Sequence, residues 1–242
     1  MRIHRVHSFE KLAPEHEVML DPAVSHYLAR VLRVVTGQPL VLFNGDGFDY
    51  AATVERANKN GILAGISARL PAIAESPLHT TLVQSLARGE RMDYALQKAT
   101  ELGVTVIQPV ETVRTEVRLK AEKIEARMGH WQKVLISACE QCGRARLPEL
   151  RLPLDLITWA GSAAKGQRLV LAPGGTMPLS QVGLSDAVEL LVGPEGGFEE
   201  QEMELLQRGG ALAVSMGPRI LRTETAGPAA LTILQSRAGD LG

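Results

Sequence analysis

The chain has 242 residues, enough for two compact domains or one large one with ample core. Its 22% charged and 45% apolar residues are typical of a soluble globular protein, and no apolar run approaches the roughly 20 residues that a membrane span needs. A formal net charge of −1 gives no global pull toward nucleic acid, so any RNA or DNA contact must come from local basic patches.

Met1-Arg2-Ile3-His4-Arg5 does not lead into the apolar core of a signal peptide, and two cysteines fit a reducing cytoplasm. Along the chain, the first seventy or so residues read as β-rich and short-stranded, with strands expected over 18–20, 39–43, 50–55 and 62–70. Asn44-Gly45-Asp46-Gly47 lies between two of them and is a hairpin signal. One short helix over 23–34 interrupts the pattern, with Asp21 suited to cap it and Pro22 to open it. These pieces suit a small β-barrel over 1–71, followed by a proline-bracketed linker over 72–77.

From 78 to 242 the pattern alternates. Strands are expected over 80–86, 104–110, 169–172, 188–192 and 211–215, with helices over 92–102 and 121–142 and further helical stretches between the later strands. Such alternation argues for an α/β domain whose mostly parallel sheet carries helices on both faces.

Two strand ends are rich in glycine and proline. Gly193-Pro194-Glu195-Gly196-Gly197-Phe198 follows one apolar run, and Met216-Gly217-Pro218-Arg219-Ile220-Leu221-Arg222-Thr223-Glu224-Thr225 follows another. Ligands of open α/β sheets bind outside the carboxyl ends of strands, so two such turns suggest one pocket. From 186 to 207 there are seven acidic residues and no Lys or Arg. Glu199, Glu200 and Glu202 suit the start of a helix dipole but would repel a phosphate seated there. The glycine spacing matches neither a P-loop nor a dinucleotide fingerprint. A ligand without phosphates, carrying positive charge, fits this description. Thr223 is one candidate to cap the last helix; a helix starting near Gly227, ahead of Pro228, is equally consistent.

Cys139 and Cys142 form a C-x-x-C pair, but no second pair is present for zinc. The pair ends a helix, whereas redox pairs occupy helix starts, so it reads as two reduced thiols and no metal is expected. Trp131 and Trp159 read as core, and His26 as packed or capping. Residues 112–151 carry nine Lys or Arg against five acids, and a smaller basic group comprises Arg2, His4, Arg5, Arg30 and Arg33. Each cluster is either a solvated face or a phosphate contact.

Leu191 to Phe198, Gly217 to Ala226, Lys98-Ala99-Thr100-Glu101-Leu102-Gly103-Val104 and Glu140-Gln141-Cys142-Gly143-Arg144 together resemble one family, the bacterial 16S ribosomal RNA uridine-N3 methyltransferases of the SPOUT class. The likeness runs in order along essentially the whole chain. It implies an N-terminal PUA-like, RNA-binding barrel and a C-terminal methyltransferase domain whose chain forms a trefoil knot. It also implies a cytoplasmic homodimer acting on 16S rRNA, within the small ribosomal subunit, with S-adenosylmethionine as cofactor. By analogy the cofactor contacts are Leu171, Ala172, Pro173, Gly193, Glu195, Gly196, Gly197, Met216, Gly217, Ile220, Leu221, Thr223, Thr225 and Ala226. Arg222, then Arg219, are candidates to stabilise the uridine anion, and Glu195 to take its proton or face the sulfonium. RNA contacts are expected from Arg2, Arg5, Arg30, Arg33, Arg114, Arg118, Lys120, Lys123 and Arg144. Two other readings compete: a non-catalytic RNA-binding or ribosome-assembly factor with a vestigial pocket, and a nucleotide-dependent enzyme, against which the acidic helix start and the missing phosphate motif weigh.

Overall fold

The structure is a computed structural model that describes residues 3–242; Arg2, one of the expected RNA contacts, lies outside the described residues. The N-terminal unit is built on a mixed sheet of β1 (His4–His7), β2 (Glu17–Met19), β3 (Pro39–Phe43), β4 (Phe48–Asn58) and β5 (Gly61–Pro71), in the order β1-β3-β4-β5-β2. All pairings are antiparallel except β1 with β3. Side chains alternate across a strand, so Tyr50, Ala52 and Val54 of β4 and Ile62, Ala64 and Ile66 of β5 share one buried core. The hairpin turn sits between β3 and β4 as expected.

The helix expected over 23–34 is shorter and changes character. Helix α1 (Pro22–His26) opens on Asp21, whose carboxylate accepts the Ala23 N–H at 2.7 Å, and a π-helical stretch, Tyr27–Val31, continues it. The wider turns keep Leu28 fully buried while Tyr27 and Val31 stay exposed.

The same unit takes in Cys139–Leu147. Arg5 explains the attachment. Its guanidinium pairs with Asp49 at 2.7 Å, donates to the carbonyls of Cys139 at 2.7 Å and Arg144 at 2.9 Å, and stacks 3.9 Å over Phe43. The Cys139 carbonyl already accepts the Gly143 N–H at 3.1 Å, and the arginine adds a second donor whose positive charge is favourable at a helix end.

The second unit holds an all-parallel sheet. Its members are β6 (His79–Ser85), β7 (Val106–Glu111), β8 (Glu149–Leu150), β9 (Leu154–Asp155), β10 (Gln167–Leu171), β11 (Met177–Pro178), β12 (Ala187–Val192) and β13 (Leu212–Ser215). The order is β11-β13-β10-β12-β6-β7-β8, with β9 also pairing β7. Helices α2 (Glu90–Glu101), α3 (Ala121–Cys142), α4 (Leu156–Gly161), α5 (Glu200–Arg208) and α6 (Thr223–Ala238) complete the unit, the last turn of α3 excepted. Central parallel strands are covered on both faces and read as continuous apolar runs. Consecutive residues therefore enter different cores: Leu82, Leu169 and Leu190 join Met92, Trp131 and Leu234, whereas Val83, Val170 and Leu191 join Trp159 and Leu206.

Helix α6 starts earlier than either sequence reading allowed. Arg222 is its extended N-cap, Thr223 is already helical, and Pro228 lies inside the helix. Past the first turn a proline removes an intrahelical hydrogen bond and crowds the carbonyl four residues back; burial of Ala230, Leu231 and Leu234 in the core offsets that cost.

A buried ion pair stitches two central strands together. Arg168 of β10 bonds Glu189 of β12 at 2.8 Å, with side chains 4% and 5% exposed. The guanidinium also donates to the carbonyls of Ala160 and Ser162 at the end of α4 and lies 4.2 Å from the Trp159 ring. Glu189→Ala strands this charge in the core and is expected to lower stability by about 3–5 kcal/mol. The double variant Arg168→Met/Glu189→Leu should recover most of that loss in urea denaturation.

Candidate active site

Strand β10 lies between β12 and β13, all parallel. The chain leaves β10, returns on one side as β12, and then crosses to the other side as β13. That reversal is a topological switch point, where the loops at the carboxyl ends splay apart and leave a crevice. Here the three loops after β10, β12 and β13 line one cleft of about 1020 Å³.

Every residue expected to hold the donor lines this cleft except Thr225, which is exposed in the first turn of α6. The wall is largely backbone and apolar side chains, among them Leu171, Val192, Met203, Val214 and Met216. Close approach explains one glycine: a Cβ on Gly193 would meet the Phe198 ring at 3.0 Å. Conformation explains another, since Gly197 has φ +68°, in a turn closed by its N–H on the Pro194 carbonyl at 2.9 Å.

The start of α5 neutralises itself. Glu199 and Glu202 form a capping box, with Glu202 Oε2 accepting the Glu199 N–H at 2.9 Å. The second oxygen of Glu202 accepts the Val113 N–H, also at 2.9 Å. Two amides of this helix start, those of Glu199 and Glu202, are thus occupied by the protein's own carboxylates. The cleft depth fits a group without phosphates, such as an adenosyl sulfonium.

Charge gathers at the mouth. Arg114, Arg219 and Arg222 line it beside Glu195. Arg114 donates to the Gly196 carbonyl at 2.9 Å and lies 3.7 Å from Glu199. Arg222 is 76% exposed, with Nη1 4.0 Å from Glu224. Glu195 is ion-paired at 2.8 Å with Arg91, which also lies 3.9 Å from Glu224. The Glu195 hydrogen bond, followed by the Glu224 charge, raises the Arg91 pKa above its ordinary value. Sequence reasoning missed Arg91. The available signal was a cation in the first turn of a helix, against the dipole, directly after a buried strand. It also missed Gln84, a fully buried amide near the end of β6.

The expected RNA contacts separate into two groups. Arg30, Arg33, Lys120 and Lys123 are exposed, and Arg114 and Arg118 are half-exposed. Arg118 pairs with Glu111 at 3.2 Å. Arg5 and Arg144 are instead nearly buried: Arg5 holds Asp49 and two carbonyls, and Arg144, 9% exposed, bonds Glu75 at 2.5 Å. Cys139 is buried at the end of α3; its hydrogen bond with Cys142 and its burial push the thiol well above the ordinary range. Such a thiol is inert.

The RNA methyltransferase domain family matches residues 74–235, and the RNA methyltransferase PUA domain matches 20–67. The ribosomal RNA small subunit methyltransferase E of Buchnera aphidicola subsp. Schizaphis graminum is 32% identical over 242 residues, covering 99% of this chain and 98% of the relative. That of Synechocystis is 34% identical over 227 residues, covering 90% and 72%. Two solved structures cover 100% of both chains. One is a Legionella pneumophila protein described as a methyltransferase in complex with the bound cofactor SAM, with TM-score 0.93 and 38% identity. The other is a Neisseria gonorrhoeae ribosomal RNA small subunit methyltransferase E bound to S-adenosyl methionine, with TM-score 0.92 and 35% identity. The chain belongs to this RNA methyltransferase family, with a PUA-like N-terminal unit and a SPOUT-class α/β domain.

Glu202→Ala leaves two partly buried N–H groups without their acceptor and is expected to lower unfolding stability by about 1–3 kcal/mol. Glu202→Gln keeps one acceptor oxygen and should lose less, with both read from urea midpoints.

Proposed function

We propose that this RNA methyltransferase methylates N3 of a uridine in small-subunit ribosomal RNA, with S-adenosylmethionine as donor. The observation that carries the reading is the convergence of three strand-end loops on a phosphate-refusing cleft whose mouth is ringed by arginines. The solved relatives with bound donor and the relatives' small-subunit name support it. The N3 position, a homodimeric state and a cytoplasmic setting rest on the resemblance of the Gly193 and Gly217 motifs.

When bound, S-adenosylmethionine supplies an electrophilic methyl group on a sulfonium. The loops after β10, β12 and β13 would hold it mainly through backbone groups, and Glu195 adds negative charge at the wall. The uridine must leave its stack to present its Watson–Crick edge to the cleft. Transfer of the N3 proton to Glu195 or to solvent water would spread charge onto the two flanking carbonyl oxygens, and a guanidinium aimed at them would stabilise that charge. Arg222, which lines the cleft, is the candidate for this role, and Arg219, also in the lining, is the second. The exposed Arg30, Arg33, Arg114, Arg118, Lys120 and Lys123 would take phosphates, and the loss of each should reduce the salt dependence of binding.

Incubation of small subunits or their rRNA with labelled donor, followed by nucleoside mass spectrometry, should yield 3-methyluridine. Label confined to any other nucleoside overturns the assignment. Arg222→Ala should lower kcat by about 10²–10³ while calorimetric affinity for S-adenosylmethionine stays within about twofold. An equal loss of both would remove Arg222 from the chemistry.

A further inference from the structure

Gln84 stands one residue before the end of β6 and has no solvent exposure. A buried primary amide is costly unless its polar atoms find partners. Its Nε2 donates to Thr223 Oγ1 at 3.0 Å and to the Ser85 carbonyl at 3.1 Å. The Thr223 hydroxyl has one proton, and it goes to the Gly193 carbonyl at 2.8 Å. One relay thus joins β6, the loop after β12 and the first turn of α6. Thr223 and Gly193 both line the cleft, and Gln84 does not.

Two further observations single the relay out. Among the described residues, Gln84 Oε1 is buried without a hydrogen-bond partner, so the amide is not a self-satisfied core residue. The helix passes close over it: a Cβ on Gly227 would meet Gln84 Oε1 at 3.3 Å, tighter than an ordinary contact. An amide with one donor directed at a cleft-lining hydroxyl, and with α6 shaped around it, settles where that hydroxyl points. Without it, the Thr223 hydroxyl can still donate to the Gly193 carbonyl but loses the donor that fixes its direction.

We infer that Gln84 is a positioning residue for the donor cleft. It holds the Thr223 hydroxyl on the Gly193 carbonyl, so that the turn after β12 and the start of α6 keep one spacing across the bound donor. The inference rests on the donor reading of the cleft.

The test is Gln84→Met, which keeps the volume and removes the amide. Calorimetric Kd for S-adenosylmethionine should rise about five- to tenfold, the loss expected of one hydrogen bond. The donor KM should rise in step, with kcat at saturating donor and the RNA KM nearly unchanged. A purely structural amide would move the unfolding midpoint and leave the donor KM alone. Thr223→Val should reproduce the donor effect, Thr223→Ser should retain wild-type affinity, and Gln84→Met/Thr223→Val should be no worse than the weaker single variant. Wild-type donor affinity in folded Gln84→Met, or additive losses in the double variant, overturns the inference. Should Gln84→Met fail to fold, equal donor affinity in Thr223→Val and Thr223→Ser overturns it instead. Absence of donor binding by the unsubstituted protein would sink the cleft reading itself.

Discussion

The site depends on one constraint: β10 has a parallel neighbour on each side, so three chain turns must leave the sheet at the same edge. Helices bury both faces of such a sheet, and polar backbone can meet a ligand only at the strand ends. The Arg168–Glu189 pair lies in the same β10–β12 ladder and ties it to the end of α4. Residues at the opposite end of these strands therefore hold in register the loops that form the cleft.

Charge around the cleft is divided between carboxylates at the start of α5 and arginines of the lining. The capping box of Glu199 and Glu202 occupies two amides of that helix start. The wall below the mouth is backbone and apolar surface, suited to an uncharged nucleoside body. At the mouth, Arg114, Arg219 and Arg222 face solvent, where an RNA strand brings its own negative charge. The alternating series Glu195, Arg91, Glu224 and Arg222 links the two ligand loops through the start of α2.

The N-terminal unit shows why a count of basic residues is a poor guide to nucleic-acid contact. Arg5 and Arg144 sit in the same clusters as Arg30 and Lys123, yet their guanidiniums are directed inward, onto Asp49, Glu75 and backbone carbonyls. A guanidinium offers five donors in a rigid fork and serves an interior carbonyl set as well as a phosphate. Only exposure distinguishes the two uses.

Much of the architecture was legible from local pattern. Strand and helix periodicity placed β3 and α3 to the residue, located the other long strands, and separated the β-rich part from the alternating part. The glycine and proline turns at Gly193 and Gly217 marked the cleft, because only certain residues tolerate those backbone conformations. The acidic opening of α5 pointed away from a phosphate ligand. What stayed hidden was every relation that joins distant segments: Arg5 with the end of α3, Arg91 with Glu195, and Gln84 with Thr223. The π-helical stretch and the early start of α6 across Pro228 belong with them. Propensity acts over a few neighbouring residues, whereas these features are settled by which side chains the sheet order brings within hydrogen-bonding reach.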